Sequence, residues 1–522
     1  MLRNILTRLN NRNKRKQRNA LRNEYLEFIR TLPIEENSVM IEARDGDAID
    51  GNAFYMLREI LQCDEYKNLA VYVSARDKAA AAAFARVIGD TSRINFVIVG
   101  SREYYKAWAT SKYLINDATI SNFFIKRDGQ KYLNLWHGTP LKCMGRKVAH
   151  EPHAVGNAQK NFVAADYLLY PNVFMMEHME DDYMLSDVAG GKAVLSGYPR
   201  NSVFLDDARR NEVSEALGLS EYKIYTYMPT WRPSMMADQM AEILAAFDDE
   251  LSDDEILLAK IHPLASSSVD YSSFKHVRKF PSEFETYETL NVSDCLITDY
   301  SSVFFDYAVT GRNIVLYAYD ACEYLSTRGL YLPFDSLPFV QASTVSETLA
   351  AVRADKQYDD SEFLSTFCSY ETLDSPARLA RLFFEGDVHS CRVAEFKHNG
   401  LPNKLICFGD LSKDENRETA LSVLAKLDVS VANYYLIFHR SELEENYEFL
   451  FKLPEGIRYF GCAGRMLGNP DELKIIEAYK DGHIDFETMK SRIPEAVQFE
   501  MLRRYGGMEI DELILHGDPV IK

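Results

Sequence analysis

Along the chain, short apolar runs rich in β-branched residues alternate with stretches whose apolar positions recur every three to four residues. "SVMIEA", "NLAVYVSA", "INFVIVG", "KYLINDA", "YLNLWHG", "YLLYPN" and "AVLSGYP" form a first series. "KIYTYMPTWR", "EILLAKIHP", "DCLITDYSS" and "NIVLYAYD" form a second, separated by helical stretches such as "MADQMAEILAAF" and "SVFFDYAV". Strands alternating with helices imply parallel sheets of βαβ units, so the pattern predicts an α/β protein with two Rossmann-like domains. After Cys391 the register changes. "HNGLPNKLICFGD" leads into a fresh strand, followed by a helix in "NRETALSVLAKL" and strands in "NYYLIFHR" and "DELILHG", which predicts one further α/β unit from about residue 397.

Residues with chemistry to offer gather at the ends of these runs. His137 follows "YLNLW", Arg200 follows "SGYP", Thr230 and Arg232 follow "YTYMP", His262 follows "LLAKI", and Ser301 with Ser302 follows "CLITDY". In open α/β sheets ligands bind outside the carboxyl ends of strands, so five such ends predict one cleft between the two domains. Taken alone, His137 reads first as a surface or capping histidine, and Ser301 can be read as a simple N-cap. A serine where a strand gives way to a helix also sits beside free backbone N–H groups and the positive end of the helix dipole, which suits an anion.

The composition, 47% hydrophobic and 26% charged, is that of a folded globular protein. At roughly 100–200 residues per domain, 522 residues predict about three domains. The eight cysteines are scattered, with no CxxC pair and no zinc-ligand spacing, so neither a disulfide framework nor a metal site is indicated. A formal net charge of −19 argues against binding nucleic acid. No apolar run is long enough to span a membrane and the N-terminus lacks the apolar core of a signal peptide, so a cytoplasmic location is expected.

Charge is unevenly placed. Met1 to Arg22 holds no acidic residue and many basic ones, while Leu2, Ile5, Leu6 and Leu9 recur at helical spacing. The segment reads either as a helix lying on an anionic membrane surface or as a solvated basic arm.

Taken together and in order, "LNLWHGTPLK", "SGYPRN", "YMPTW", "KIHP", "LITDYSSVFFDYAVTGRNIVLYAYD" and "RGLYLPFD" resemble the CDP-glycerol glycerophosphotransferase family of teichoic acid and capsule polymer synthesis. The resemblance is strong over residues 110 to 340. It implies a GT-B architecture, two Rossmann-like domains facing a cleft, here with the C-terminal partial α/β domain added. It also implies transfer of a polyol phosphate from a CDP-activated donor, CDP-glycerol or CDP-ribitol, to a hydroxyl of a lipid-linked or polymeric acceptor, releasing CMP. Organised this way, the chain comprises a basic segment over 1–30, an acceptor domain over 31–195, a CDP-polyol domain over 196–390 and the additional unit over 397–522, which resembles half of a glycosyltransferase.

Matched position by position, the resemblance places donor-binding residues at His137, Gly138, Thr139, Pro140, Leu141, Arg200, Pro229, Thr230, Lys260, Ile261, His262, Ser301, Ser302 and Asp306, with Arg232 added from its strand end. His137 and His262 are the expected catalytic pair, His137 as the base and His262 with Arg200 and the serines on the phosphates. No cofactor is implied, and the cationic set takes the place of Mg²⁺. Enzymes of this kind extend lipid-linked polymers at the inner face of the cell membrane, which agrees with the basic N-terminus. A GT-B glycosyltransferase using a nucleotide sugar for capsule synthesis is the alternative enzyme, and a non-catalytic polymer-binding protein the alternative outside catalysis.

Overall fold

The computed structural model describes residues 2–230, 232, 237–262, 269–321, 329–354 and 356–521, with the side chains of 2–15 and of 237–238 left aside. Among the described residues the strands form three sheets. The first is built from β1 (Glu35–Glu42), β2 (Ala70–Ala75), β3 (Ile94–Ile98), β4 (Ser111–Asn116), β5 (Lys131–Asn134), β6 (Tyr167–Tyr170) and β7 (Lys192–Leu195). The second holds β8 (Lys223–Met228), β9 (Glu255–Ala259), β10 (Val277–Lys279), β11 (Cys295–Thr298), β12 (Asn313–Tyr317) and β13 (Val340–Ala342). After β13 the chain crosses back, and β14 (Arg392–Glu395) pairs antiparallel with β7 at the edge of the first sheet. The third sheet comprises β15 (Asn403–Phe408), β16 (Asn433–His439), β17 (Arg458–Cys462) and β18 (Glu512–Gly517).

The strand orders are β14-β7-β6-β5-β4-β1-β2-β3, β10-β9-β8-β11-β12-β13 and β17-β16-β15-β18. Every pairing except β14 with β7 is parallel. Helices cover both faces of such sheets, which is why β9, "EILLA", and β16, "NYYLIFH", are buried along their whole length and read as near-continuous apolar runs with polar residues only at their ends. In each sheet the strand order reverses once, beside β1 and β4, β8 and β11, and β15 and β18. These reversals open the crevices where α/β sheets take ligands.

The first two sheets face one another and are tied across the cleft by polar contacts. Glu285 of the second half accepts from the Gly51 amide at 2.8 Å and from the Tyr55 hydroxyl at 3.1 Å. Lys142 and Leu330 form an antiparallel bridge, and the Met144 amide donates to the Tyr331 hydroxyl at 2.8 Å.

The third sheet is docked on the first by close backbone approach. A Cβ on Gly156 would lie 1.9 Å from the Gly461 carbonyl oxygen, and one on Gly461 would lie 2.4 Å from that of His153. Arg503, 1% exposed, donates to Glu500 and also to the carbonyls of Asn122 and Ala463. The helix Leu2–Thr31 ends in the same junction: Tyr25, Leu26, Phe28 and Ile29 are buried, and Arg30 pairs with Glu472 at 2.7 Å and Glu495 at 2.9 Å. The side chains of Leu2, Ile5, Leu6 and Leu9, on which the amphipathic reading rests, lie outside the described residues, as do Trp231, Pro263 and Arg328 of the quoted motifs.

Candidate active site

β5 ends at Asn134, and the next four residues turn sharply into the cleft. Trp136 takes a left-handed φ of 49°, a strained conformation for a bulky residue, held by its amide donating to the Asn134 side chain at 3.1 Å and by Asn52 donating to its carbonyl at 3.3 Å. The turn presents His137 to the cleft. Its ring stacks on Trp136 at 4.2 Å, and Nδ1 lies 3.0 Å from the Asp117 carbonyl oxygen at the end of β4.

A carbonyl oxygen only accepts, so the nitrogen facing it carries the proton and Nε2 keeps its lone pair. The protein crowded around the ring pushes its pKa down from 6.5 to about 4, opposed by the Asp117 hydrogen bond and reinforced by the Arg200 and Arg44 cations. Its exposed side opens to solvent in the cleft, which moderates that depression. At neutral pH the ring is an unprotonated base.

Gly138 follows with a φ of +154°, and a Cβ there would lie 2.9 Å from Ser302 Oγ and 3.5 Å from Arg200. The first half's turn and the start of the second half's helix Val303–Tyr307 therefore touch at a glycine because only a glycine fits. A cavity of about 130 Å³ lies here, lined by His137, Gly138, Lys142, Tyr300 and Ser302 among others. Replacing Gly138 with alanine is expected to cost about 1–3 kcal/mol of stability through strain and overpacking. Thermal unfolding checks this, and an unchanged melting temperature would count against the close approach.

The remaining expected residues divide by position. Thr139, Pro140 and Leu141 are buried behind the turn, with Thr139 Oγ1 accepting from Asn172 at 2.9 Å. Ser301 and Ser302 are half-buried where β11 leads into its helix, and Ser302 makes no capping hydrogen bond, which leaves its hydroxyl on the cleft side of the turn. Pro229 and Thr230 follow β8 on the opposite side of the same crevice, the Thr230 amide donating to Asp299 at 2.8 Å. Lys260 reaches Thr286 Oγ1 at 2.7 Å over the face of Phe280. Together with Ile261, it lines a larger cavity of about 460 Å³ between the halves. His262 is exposed at the end of that segment.

Arg200, Asp306 and Arg232 are not on the cleft surface. Arg200 is 5% exposed and Asp306 3% exposed; they pair at 2.7 Å, and Asp306 also accepts from Asn201 and the Tyr287 hydroxyl. The same guanidinium donates to the His137 carbonyl oxygen at 3.0 Å. Arg232, 7% exposed, is held by Asp299 and Asp320, each at 2.9 Å. These arginines neutralise buried carboxylates and shape the strand ends around the base.

Reasoning from sequence passed over Asp117, Arg44 and Glu285. Asp117 ends "LIND" and Arg44 ends "MIEAR", so the rule that selected the other strand ends applies to them too. Glu285 opens a capping box with Glu288, a signal present in "EFETYE". Burial pushes the Asp117 carboxyl up to about 7 and the Glu285 carboxyl up to about 7. Among the described residues no group of three or more His, Cys, Asp or Glu could hold a metal ion.

Comparison with known proteins agrees with this geometry. The family model described as CDP-Glycerol:Poly(glycerophosphate) glycerophosphotransferase matches residues 24–385. A teichoic acid poly(glycerol phosphate) polymerase of Bacillus spizizenii is 29% identical over 382 residues, covering 67% of this chain and 93% of that protein. One of Staphylococcus epidermidis is 30% identical over 298 residues, covering 52% of this chain and 41% of that protein. A solved structure of the wall teichoic acid polymerase TagF superposes with a TM-score of 0.59 at 23% identity, covering 74% of this chain and 98% of that one, a likeness of fold that matches the GT-B arrangement of two halves about a cleft.

Proposed function

Because the chain belongs to the CDP-Glycerol:Poly(glycerophosphate) glycerophosphotransferase family, we propose that it transfers a polyol phosphate, glycerol phosphate first among the candidates, from a CDP-activated donor to a hydroxyl of a lipid-linked or polymeric acceptor in teichoic acid synthesis. The observation that carries the reading is His137, whose Nδ1 is held by the Asp117 carbonyl so that Nε2 faces the cleft as a base beside Tyr300 and Ser302 at the β11 end. In the reaction the acceptor hydroxyl gives its proton to Nε2 as its oxygen attacks the phosphorus bearing the polyol. The new P–O bond forms while the bond to the CMP oxygen breaks, and CMP leaves. The cavity of about 460 Å³ beside Lys260 has room for the nucleotide, and Ser302 with His262 meets the phosphates. Arg200 and Asp306 serve as positioning residues, fixing the carbonyl of the residue that acts as base.

The test is donor turnover. The purified chain with a glycerol-phosphate acceptor should release CMP from CDP-glycerol or CDP-ribitol; turnover of nucleotide sugars instead would favour a glycosyltransferase, and tight acceptor binding without any release a polymer-binding protein.

We also propose attachment at the inner membrane face through the basic N-terminal segment. Its backbone is helical from Leu2, and no helix among the described residues is long and apolar enough to cross a membrane. Deleting residues 1–22 should weaken binding to anionic vesicles, with wild-type binding falling as salt rises, since each basic residue near such a surface is worth about 1 kcal/mol. Activity on a short soluble acceptor should persist. Equal binding of the intact chain to neutral and anionic vesicles would remove the proposal.

A further inference from the structure

A transferred phosphate needs cations on the cleft wall, and the two arginines expected there, Arg200 and Arg232, are buried against Asp306 and against Asp299 and Asp320. Arg44 is placed differently. It leaves the carboxyl end of β1, where the first sheet reverses its strand order beside β4, and its side chain is 61% exposed. It lines the interdomain cavity of about 460 Å³ opposite Lys260 and Lys279 of the second half. Among the described residues its guanidinium has one ion-pair partner, Asp50, met by Nε at 3.0 Å. Among the described residues neither terminal nitrogen is engaged in a hydrogen bond or ion pair.

The backbone fixes Arg44 in place without its side chain. Arg44 and Asp45 take consecutive left-handed φ values of 44° and 54°, rare for residues other than glycine. The turn is held by main-chain groups: the Arg44 amide donates to Asp117 Oδ1 at 3.1 Å, Gly46 to the Ala43 carbonyl at 2.8 Å and Asp47 to the Arg44 carbonyl at 3.0 Å. None of these bonds uses the guanidinium, so Gln or Lys at position 44 can keep them, and the ion pair with Asp50 is the one contact the guanidinium makes among the described residues. Through Asp117 the same turn is joined to His137, whose ring nitrogen bonds the Asp117 carbonyl.

We propose that Arg44 is a phosphate-binding residue on the first-half wall of the cleft, exchanging Asp50 for a phosphate oxygen of a substrate. The inference rests on the transferase reading of the cleft. Two sources share that chemistry: the diphosphate of the nucleotide donor and the terminal phosphodiester of the acceptor. A planar guanidinium with two open terminal nitrogens suits bidentate contact with either.

The test uses the full chain as wild type, Arg44→Gln and Arg44→Lys, with calorimetric titration of CDP, cytidine and a soluble glycerol-phosphate oligomer. A charge-assisted contact worth about 1.5–3 kcal/mol corresponds to roughly a ten- to hundredfold loss of affinity. If the donor supplies the phosphate, Arg44→Gln loses at least fivefold affinity for CDP and little for cytidine. If the acceptor supplies it, the loss falls on the glycerol-phosphate oligomer while CDP is unaffected. In either case Arg44→Lys recovers part of the loss. Affinities of Arg44→Gln for both CDP and the oligomer within fivefold of wild type would overturn the proposal, as would an equal loss for cytidine, which marks a damaged fold. Should the wild type bind CDP yet release no CMP from CDP-glycerol, the transferase reading fails while these titrations still decide Arg44.

Discussion

Alanine in place of His137 should lower kcat by about 10²- to 10⁴-fold, the range typical of a lost general base. CDP affinity should stay within roughly threefold of wild type, because a base acts on the transition state and adds little to ground-state binding. The pH profile gives a second reading. Protein around the ring pushes its pKa down to about 4 from 6.5. The acid limb of kcat/KM should therefore fall below 6.5, with activity retained where an ordinary histidine would already be protonated. A limb centred at or above 6.5, or near-wild-type turnover of His137→Ala, would remove His137 as the base. The linkage sign agrees: between the two values the unfolded chain takes up a proton that the folded chain refuses, so this contribution to stability is complete above 6.5 and is lost as the pH falls toward about 4.

The second large effect concerns Arg200 and Asp306. Removing either partner of a buried ion pair leaves an uncompensated charge in the interior, at a typical cost of about 3–5 kcal/mol. Asp306→Ala also strips an acceptor from Tyr287 and Asn201, so it should lie at the upper end. Arg200→Met combined with Asp306→Leu should recover much of the stability, because neither charge remains. Activity should not return with it, since the guanidinium that holds the His137 carbonyl is gone. Thermal unfolding and CMP release on the three variants separate the two roles. Single variants as stable as wild type, or a fully active double variant, would contradict the assignment.

The sequence carried the central strands and two of the edges, β3 and β18, and hid the other four. "NLAVYVSA" and "DCLITDYSS" read as strands because parallel strands covered on both faces must be apolar throughout. β10 is "VRK" and β14 is "RVAE", short edge strands whose exposed positions hold charges, and neither shows a period to detect. β17, "RYFGC", was missed because its glycine answers to the neighbouring sheet, where the His153 carbonyl lies against it. At the site, position was legible and partnership was not. The strand-end rule found Arg200 and Arg232, yet their carboxylates stand 106 residues away for Arg200 and 67 and 88 residues away for Arg232. Only the fold reveals that these cations are already neutralised. Arg44 is the opposite case: the strand-end rule reaches it, but its neighbourhood in sequence is acidic, and the left-handed turn that sets its guanidinium in the cleft is seen only in the fold.

The glycine-matched junction between the first and third sheets has a mechanical consequence. Backbones that meet at Gly156 and Gly461, with Arg503 donating across the seam, leave no slack for sliding, whereas the contacts across the cleft are made largely by side chains, among them Glu285 with Gly51 and Tyr55 and the ion pair of Arg58 with Glu288 at 2.8 Å, and by one short bridge. The first sheet, the third sheet and the helix Leu2–Thr31 thus share one closely fitted frame, and any opening of the cleft falls on the side-chain contacts to the second half. A surface gripping the N-terminal helix would therefore hold the His137 turn stationary, and only the far wall of the cleft would be left to yield.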